Sequence, residues 1–294
     1  MTEKHFTVFT ATYNRAATLP RVYASLRAQT SRDFEWIIVD DGSTDSTREL
    51  VAAWQTDFPL RYFYQENSGK HVAFNRGVTE AKGRFFLNLD SDDAAAPDAL
   101  ARFAVWCADL PADFAAVAAL CCDQQGLVLG DEFPASPLDS CRAELRYRYK
   151  VKGDKWLCHR TETLRRFRFP EPAGVKFVQE RAVLAQISAQ YPTRYVNEKL
   201  KIVHPGAARL SDNLARHPLG VALGQRSVLN YELGWFRHAP LHFLRAAANY
   251  TRLSLAGGES FATQWRGLEN NGARALWLAM LPLGAGLYWR GRVH

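Results

Sequence analysis

The chain of 294 residues has no Cys-X-X-Cys pair, no Gly-X-Gly-X-X-Gly fingerprint and almost no acidic residues after Trp235. Its five cysteines, Cys107, Cys121, Cys122, Cys141 and Cys158, are odd in number and lack metal-ligand spacing. That argues against a zinc site or a disulfide framework and for a reducing compartment. The missing glycine fingerprint disfavours a dinucleotide-dependent oxidoreductase, and Ser68-Gly69-Lys70 lacks the preceding glycine of a P-loop. Prolines and glycines are scattered, so no long linker is announced. Met1 to His5 is polar and runs straight into a strand-like segment, which reads as the absence of a secretory signal.

What is present is a globular composition, 47% hydrophobic and 23% charged, long enough for one large α/β domain with an appendage or for two ordinary domains. The net charge of +7 suits an anionic partner without naming it. No nucleic-acid-binding motif accompanies the charge, so nucleic acid is not an expected partner.

Residues 6–97 alternate between two patterns. Short β-rich runs at Phe6–Thr12, Phe34–Asp40, Leu60–Tyr64 and Phe85–Leu89 are separated by helical spacing over 17–29, 43–54 and 68–82. Gly83 reads as the closure of the third helix, and Pro97 as the opening of a fourth. Such alternation predicts a mostly parallel sheet flanked by helices, with ligands beyond the C-terminal ends of the strands. Three polar clusters then face one crevice: Thr12-Tyr13-Asn14-Arg15, Asp40-Asp41-Gly42-Ser43 and Asp90-Ser91-Asp92-Asp93. From 110 to 205 the pattern is less regular, with a hairpin expected over 115–129, helices over 160–168 and 182–190, and a last strand over 195–203.

A turn and helix cap account for one aspartate in 90–93. Three carboxylates after an apolar strand call for a cation, because burial penalises unpaired charge. Hard divalent ions take carboxylate oxygens and keep positions for substrate phosphates, so a metal–diphosphate site is favoured over a structural turn.

Four ordered motifs then resemble family 2 glycosyltransferases: Phe9-Thr-Ala-Thr-Tyr-Asn-Arg15, Ile38-Val-Asp-Asp-Gly-Ser-Thr-Asp45, Asn67-Ser-Gly-Lys-His-Val-Ala-Phe-Asn-Arg-Gly77 and Leu87-Asn-Leu-Asp-Ser-Asp-Asp93. The resemblance is strong over the first hundred residues and weaker beyond. It implies an α/β, Rossmann-like GT-A fold and inverting transfer from a nucleotide-sugar donor, UDP being the commonest nucleotide among relatives. The acceptor would be a saccharide or lipid-linked saccharide. Carried over, Thr12 and Tyr13 flank the nucleoside base and Asp40 accepts a hydrogen bond from it. Arg15 and Lys70 meet the diphosphate, Asp90 with Ser91 meets the donor ribose side, and Asp92 binds Mn²⁺ or Mg²⁺. For Tyr13, Arg15 and Lys70 the alternative is ordinary packing or a solvated surface.

Inverting displacement needs a base for the acceptor hydroxyl. The resemblance points to Glu180 in Phe169-Pro-Glu-Pro-Ala-Gly-Val-Lys-Phe-Val-Gln-Glu180, where relatives carry an acidic pair. Here the first position is Gln179, and Glu180 read by itself is also a helix N-terminal acid. His204 completes the metal shell or is a surface histidine before Pro205. Asp154 and Lys155 are candidates for the acceptor pocket. The atypical Gln179-Glu180 leaves open a second class of function, a catalytically silent homologue acting as a membrane or assembly scaffold.

These readings assign 1–205 to a catalytic domain, with a donor half over 1–108 and an acceptor half over 109–205, and 206–294 to a helical, basic extension. From Trp235 the chain carries seven arginines against Glu259 and Glu269. The fifteen uncharged residues Ala275 to Trp289, interrupted by Pro282, are too few to span a bilayer and suit an interfacial element instead. The expected location is cytoplasmic, with peripheral contact at the inner face of the plasma membrane; the competing reading is a helical appendage packed on the core.

Overall fold

The computed structural model describes residues 5–204 and 216–291, so the expected domain boundary at 205/206 lies outside the described residues. Two compact units emerge. The first comprises 5–141, 149–168 and 191–204, and the second 142–148, 169–190 and 216–291. Residues 142–148 and 169–190 therefore leave the expected acceptor half and pack with the C-terminal helices. Contacts distant in sequence set this division, and local patterning carries no trace of it.

The first unit is built on one sheet of nine strands: β1 (Phe6–Thr12), β2 (Phe34–Asp40), β3 (Leu60–Tyr64), β4 (Phe85–Asn88), β5 (Ala94–Ala95), β6 (Ala116–Cys122), β7 (Leu138–Ser140), β8 (Lys155–Arg160) and β9 (Thr193–Ile202). Their order is β3-β2-β1-β4-β8-β6-β9-β5, with β7 also on β9. Helices α1 (Leu19–Arg27), α2 (Thr47–Ala52), α3 (Lys70–Glu80), α4 (Ala99–Ala108) and α6 (Thr161–Arg166) belong to the same unit; α5 (Arg142–Tyr147) does not.

All seven residues of β2 and six of β1 are buried, the mark of central strands covered on both faces. Trp36 and Ile38 from β2 join Val8, Leu26, Phe103 and Trp156 in one core. The expected parallel pairing holds for β1–β2, β2–β3 and β1–β4. Beyond β4 the sheet becomes mixed, because β8 runs antiparallel between β4 and β6. Local pattern over Lys155–Arg160 does not identify a strand; pairing on both sides creates it.

Three local expectations change. Helix α3 ends before Ala81, and Gly83 does not close it in a left-handed turn. Gly83 is needed because a Cβ there would lie 2.4 Å from the backbone of Phe6 and Thr7. The 115–129 hairpin shrinks to a single antiparallel bridge, Cys122 to Val128. The fourth helix begins at Ala99, just beyond Pro97.

The second unit is helical: α5, α7 (Arg181–Gln190), α8 (Pro218–Tyr231), a 3₁₀ turn at Leu233–His238, α9 (Pro240–Ala256), α10 (Phe261–Gly267) and α11 (Asn271–Arg290). Helix α9 packs on both α8 and α11, and the approach is close. A Cβ on Gly284 would sit 2.5 Å from the Ala248 carbonyl oxygen. Side-chain caps start the last two helices, Ser260 accepting from Thr263 N and Asn270 from Ala273 N. Pro282 does not interrupt α11; it is exposed, so the carbonyl deprived of its donor can be hydrated. Among the described residues no helix is long and apolar enough to cross a membrane.

Candidate active site

Register aligns the strand tips. Thr12 pairs with Asp40, and Asp40 with Tyr64, while Phe9 pairs with Asn88 one turn below the 90–93 segment. The three polar clusters therefore leave the same edge of the sheet.

The first two clusters are laced together by hydrogen bonds. Asn14 adopts a left-handed backbone, φ 53°, and its Oδ1 accepts from Thr44 N at 2.7 Å while its own N–H donates to Ser43 Oγ at 2.8 Å. Asp40 is fully buried: Oδ1 accepts from Ser43 N at 2.8 Å and Oδ2 from the Tyr62 hydroxyl at 2.5 Å. Burial first, and then the Asp40 carboxylate, push the Tyr62 hydroxyl well above its ordinary range. Asp40 thus builds the turn after β2, and its expected hydrogen bond to a base is not offered from an accessible carboxylate here. Asp41 does the same for the next loop, accepting from Gln65 Nε2, Ser68 N and Gly69 N at 2.7–2.9 Å. That fixes the start of α3 and hence Lys70. Thr12 is buried as well, its hydroxyl without a hydrogen-bond partner among the described residues, whereas Tyr13 is 48% exposed.

The third cluster holds the main departure from expectation. Asp90 receives Lys70 Nζ at 2.7 Å and Lys201 Nζ at 3.1 Å. Lys201 Nζ also lies 2.9 Å from Asp93, whose other oxygen accepts from His204 N at 3.2 Å. Two lysines neutralise two of the three carboxylates. Burial by itself would raise the Asp90 carboxyl, but Lys70 and Lys201 outweigh it and hold it far below the usual range. Burial would likewise lower the Lys201 ammonium, and Asp90 and Asp93 reverse that. The assignment of Asp90 to a donor ribose is therefore not met by a free carboxylate in this arrangement. Ser91 is buried in the turn, which Asp93 N closes on Asp90 O at 3.1 Å.

Asp92 differs. Among the described residues it forms no ion pair, and its carboxyl is raised by burial and then by Asp93 and Asp90, with Arg15 opposing. His204 is influenced by the same group: burial and then Arg21 lower its imidazole, while Asp93 and Asp92 raise it. Arg21 in turn donates to the Asp92 carbonyl at 2.6 Å. Among the described residues no three His, Cys, Asp or Glu side chains are grouped to hold an ion. What remains is one carboxylate with an imidazole and Arg15 nearby. That donor set fits a cation whose other ligands are phosphate oxygens and water, and it does not fit an all-protein cage.

Lys201 was not among the sequence candidates. Its signal is its place near the end of β9 between apolar Leu200 and Ile202, and a buried lysine requires a buried anion. The acceptor candidates fare differently. Lys155 Nζ donates to the carbonyls of Asp131 and Lys152, both at 2.9 Å, so it ties two loops together; Asp154 is exposed. Glu180 belongs to the second unit. It is exposed and immediately precedes α7, its carbonyl accepting from Val183 and Leu184. Gln179 packs against α8, where a Cβ on Gly224 would meet its Oε1 at 2.5 Å. Among the described residues that buried Oε1 has no donor, so a carboxylate at 179 would be a buried charge unpaired among them.

With this geometry established, comparison with known proteins gives a consistent result. Residues 7–159, more than half of the chain, match the sequence family described as glycosyl transferase family 2. An uncharacterised glycosyltransferase of Nostoc sp. is 40% identical over 97 residues, 32% of this chain and 30% of that protein. Validoxylamine A glucosyltransferase of Streptomyces hygroscopicus is 40% identical over 90 residues, 29% of this chain and 21% of that one. These matches span less than a third of the relatives' own length. Among solved structures, S. aureus TarS 1–349 in complex with UDP-GlcNAc aligns with a TM-score of 0.67 at 17% identity, over 98% of this chain and 92% of that one. The Pyrobaculum calidifontis mannosyltransferase PcManGT, in complex with GDP-Man and Mn²⁺, gives 0.53 at 19% identity over 97% and 87%. At such identities the likeness establishes the GT-A-like fold with its helical C-terminal region. The chain belongs to glycosyltransferase family 2.

Proposed function

We propose that this protein is an inverting glycosyltransferase that moves a sugar from a nucleoside-diphosphate donor, a UDP-sugar, onto a saccharide or lipid-linked saccharide hydroxyl. The observation that carries the reading is the edge where in-register strand tips bring Tyr13, Arg15 and Asp92, with Asp92 in no ion pair among the described residues and Arg15 acting on it. The exposed ring of Tyr13 offers a surface for the base, and Arg15 offers a guanidinium for the diphosphate. Bound Mn²⁺ or Mg²⁺ would supply charge stabilisation for the departing diphosphate, with Asp92 and His204 as its protein ligands. Lys70 and Lys201 neutralise Asp90 and Asp93, the acidic neighbours of Asp92 in the turn. Glu180 takes the proton from the acceptor hydroxyl as it attacks the anomeric carbon, and the diphosphate leaves from the opposite face. The complexes of TarS with UDP-GlcNAc and of PcManGT with GDP-Man and Mn²⁺ support the donor and metal class.

Tyr13, Arg15 and Asp92 belong to the first unit, and Glu180 with the basic helices to the second. Helix α11 exposes Leu278, Leu283, Leu287 and Trp289, which supports peripheral contact with an anionic membrane on the cytoplasmic side.

The test is nucleoside diphosphate release from UDP-sugars with Mn²⁺, in the wild type, Asp92→Ala and Glu180→Ala. The expected result is slow release without acceptor, lost with chelator or in Asp92→Ala; Glu180→Ala keeps donor binding and loses transfer. Release indifferent to chelator and to Asp92 would overturn the site. Donor binding without turnover in the wild type would favour the silent scaffold.

A further inference from the structure

The second unit contains a cluster of charge that the proposed transfer does not use. Glu232, 1% exposed, follows α8 and accepts from Arg142 Nη1 at 3.0 Å and from the Tyr147 hydroxyl at 2.5 Å. Around that pair stand further cationic groups. The Arg146 guanidinium carbon lies 5.8 Å from the Tyr147 ring centroid, and the His242 ring lies 5.3 Å from it. Arg181, the first residue of α7, is partly buried within the field of Arg146, Arg142 and Glu232. Among the described residues neither Arg146 nor Arg181 forms an ion pair, so three arginines share one carboxylate and the group carries a net charge of +2.

Such a grouping is unfavourable when empty. Burial, and then Arg146 and Arg142, pull the Arg181 guanidinium down to about 10. Burial, Arg146 and Arg181 push His242 down to about 4, and its buried Nε2 has no hydrogen-bond partner among the described residues. A merely solvated basic face would spread its charges apart. Here Arg146 of α5 and His242 of α9 gather at the Tyr147 ring, α7 packs on α5 with Arg181 in the same field, and guanidinium forks match phosphate oxygens.

We propose that Arg146, Arg181 and Arg142 form a subsite for a phosphate or diphosphate ester carried by the acceptor. The proposal rests on the transferase reading above, because Arg181 directly follows the base Glu180. The backbone thus anchors the arginine cluster and Glu180 at the same point, the start of α7, successive Cα atoms being about 3.8 Å apart. The net +2 leaves room for a dianionic group, while the Glu232 carboxylate holds Arg142 and Tyr147 in place without neutralising the other two arginines.

The experiment is calorimetric titration of the full-length protein with inorganic pyrophosphate, in EDTA and with UDP saturating the donor site. Pyrophosphate is expected to bind in the presence of UDP, and to bind at least about tenfold more weakly in Arg146→Gln and in Arg181→Gln, with UDP affinity unchanged. Arg181→Lys should fall between, since it keeps the charge and loses the fork. A sugar 1-phosphate and a short-chain prenyl diphosphate, titrated in parallel, separate a phosphorylated sugar from a lipid diphosphate as the natural source. If Arg181→Gln does not fold, Arg146→Gln carries the test. Pyrophosphate binding that is displaced by UDP, or unchanged in the arginine variants, overturns the subsite. Loss of UDP binding with pyrophosphate binding intact would sink the donor reading and leave the subsite standing.

Discussion

The Lys201 ammonium and the Asp93 carboxylate lie 2.9 Å apart, with side chains only 10% and 6% exposed. Lys201 reaches Asp90 as well, so one side chain from the last strand of the sheet anchors both flanks of the acidic turn. Asp92 is left between them as the carboxylate without a lysine. Division of three acids into two neutralised and one outside any lysine pair keeps the turn from being a focus of repulsion.

Replacing Lys201 by Met should remove about 3–5 kcal/mol of stability, because Asp93 would keep a buried charge without its lysine, whereas Asp90 retains Lys70. Urea unfolding at neutral pH measures it. Lys201→Met combined with Asp93→Asn should recover part of the loss, and strict additivity would contradict the pairing.

His159 is 7% exposed, and burial lowers its imidazole to about 4 from an ordinary value of 6.5. A histidine kept neutral in the fold contributes stability that is complete above its unfolded value. The contribution is lost as pH falls from about 6.5 toward about 4, because the unfolded chain takes up the proton first. The loss should approach about 3 kcal/mol. Comparing urea unfolding at pH 7.5 and 5.0 for wild type and His159→Phe tests this, and the variant should show the shallower pH dependence.

Gly83→Ala should destabilise the first unit by at least about 1–3 kcal/mol, since the added methyl meets backbone of β1 rather than a movable side chain. Gly126→Ala is the control for a glycine in open surroundings, its Cβ meeting only the end of Lys199 at 3.9 Å, although its φ of 80° adds local strain. A melting temperature for Gly83→Ala equal to wild type would show that β1 and the 81–84 turn can separate.

Tyr62→Phe removes the hydroxyl donor from buried Asp40. About 1.5–3 kcal/mol should be lost, the range for a hydrogen bond to a charged group. UDP affinity should fall with it, because Asp40 sets the turn that holds Asn14 and Tyr13. Thermal shift with and without UDP reads both effects, and unchanged UDP binding would detach the Asp40 turn from donor recognition.

How much of this was legible in sequence varies by residue. Strands β1 to β4 were legible because they are short, apolar and buried, and helical spacing between them is local. Strand β8 was not, because Lys155–Arg160 becomes a strand only through its two neighbours. Asp92 could be singled out from its motif, whereas Lys201 lies 111 residues from Asp90 and no local pattern pairs them. Lys155 shows the converse: a cation in a suggestive stretch whose ammonium is bound to two carbonyls.

Taken alone, the order of residues determined the strand–helix alternation, the alignment of polar clusters at one strand edge, the family and the basic character of the last helices. Each of these depends on neighbours within a few turns or on motifs read in order. Tertiary structure decided which carboxylates are neutralised, which polar groups are sealed in turns, that 142–148 and 169–190 pack with the C-terminal helices, and that three arginines crowd around one glutamate. Those outcomes depend on distances between residues far apart along the chain, where burial and charge are shared among partners that sequence proximity does not reveal.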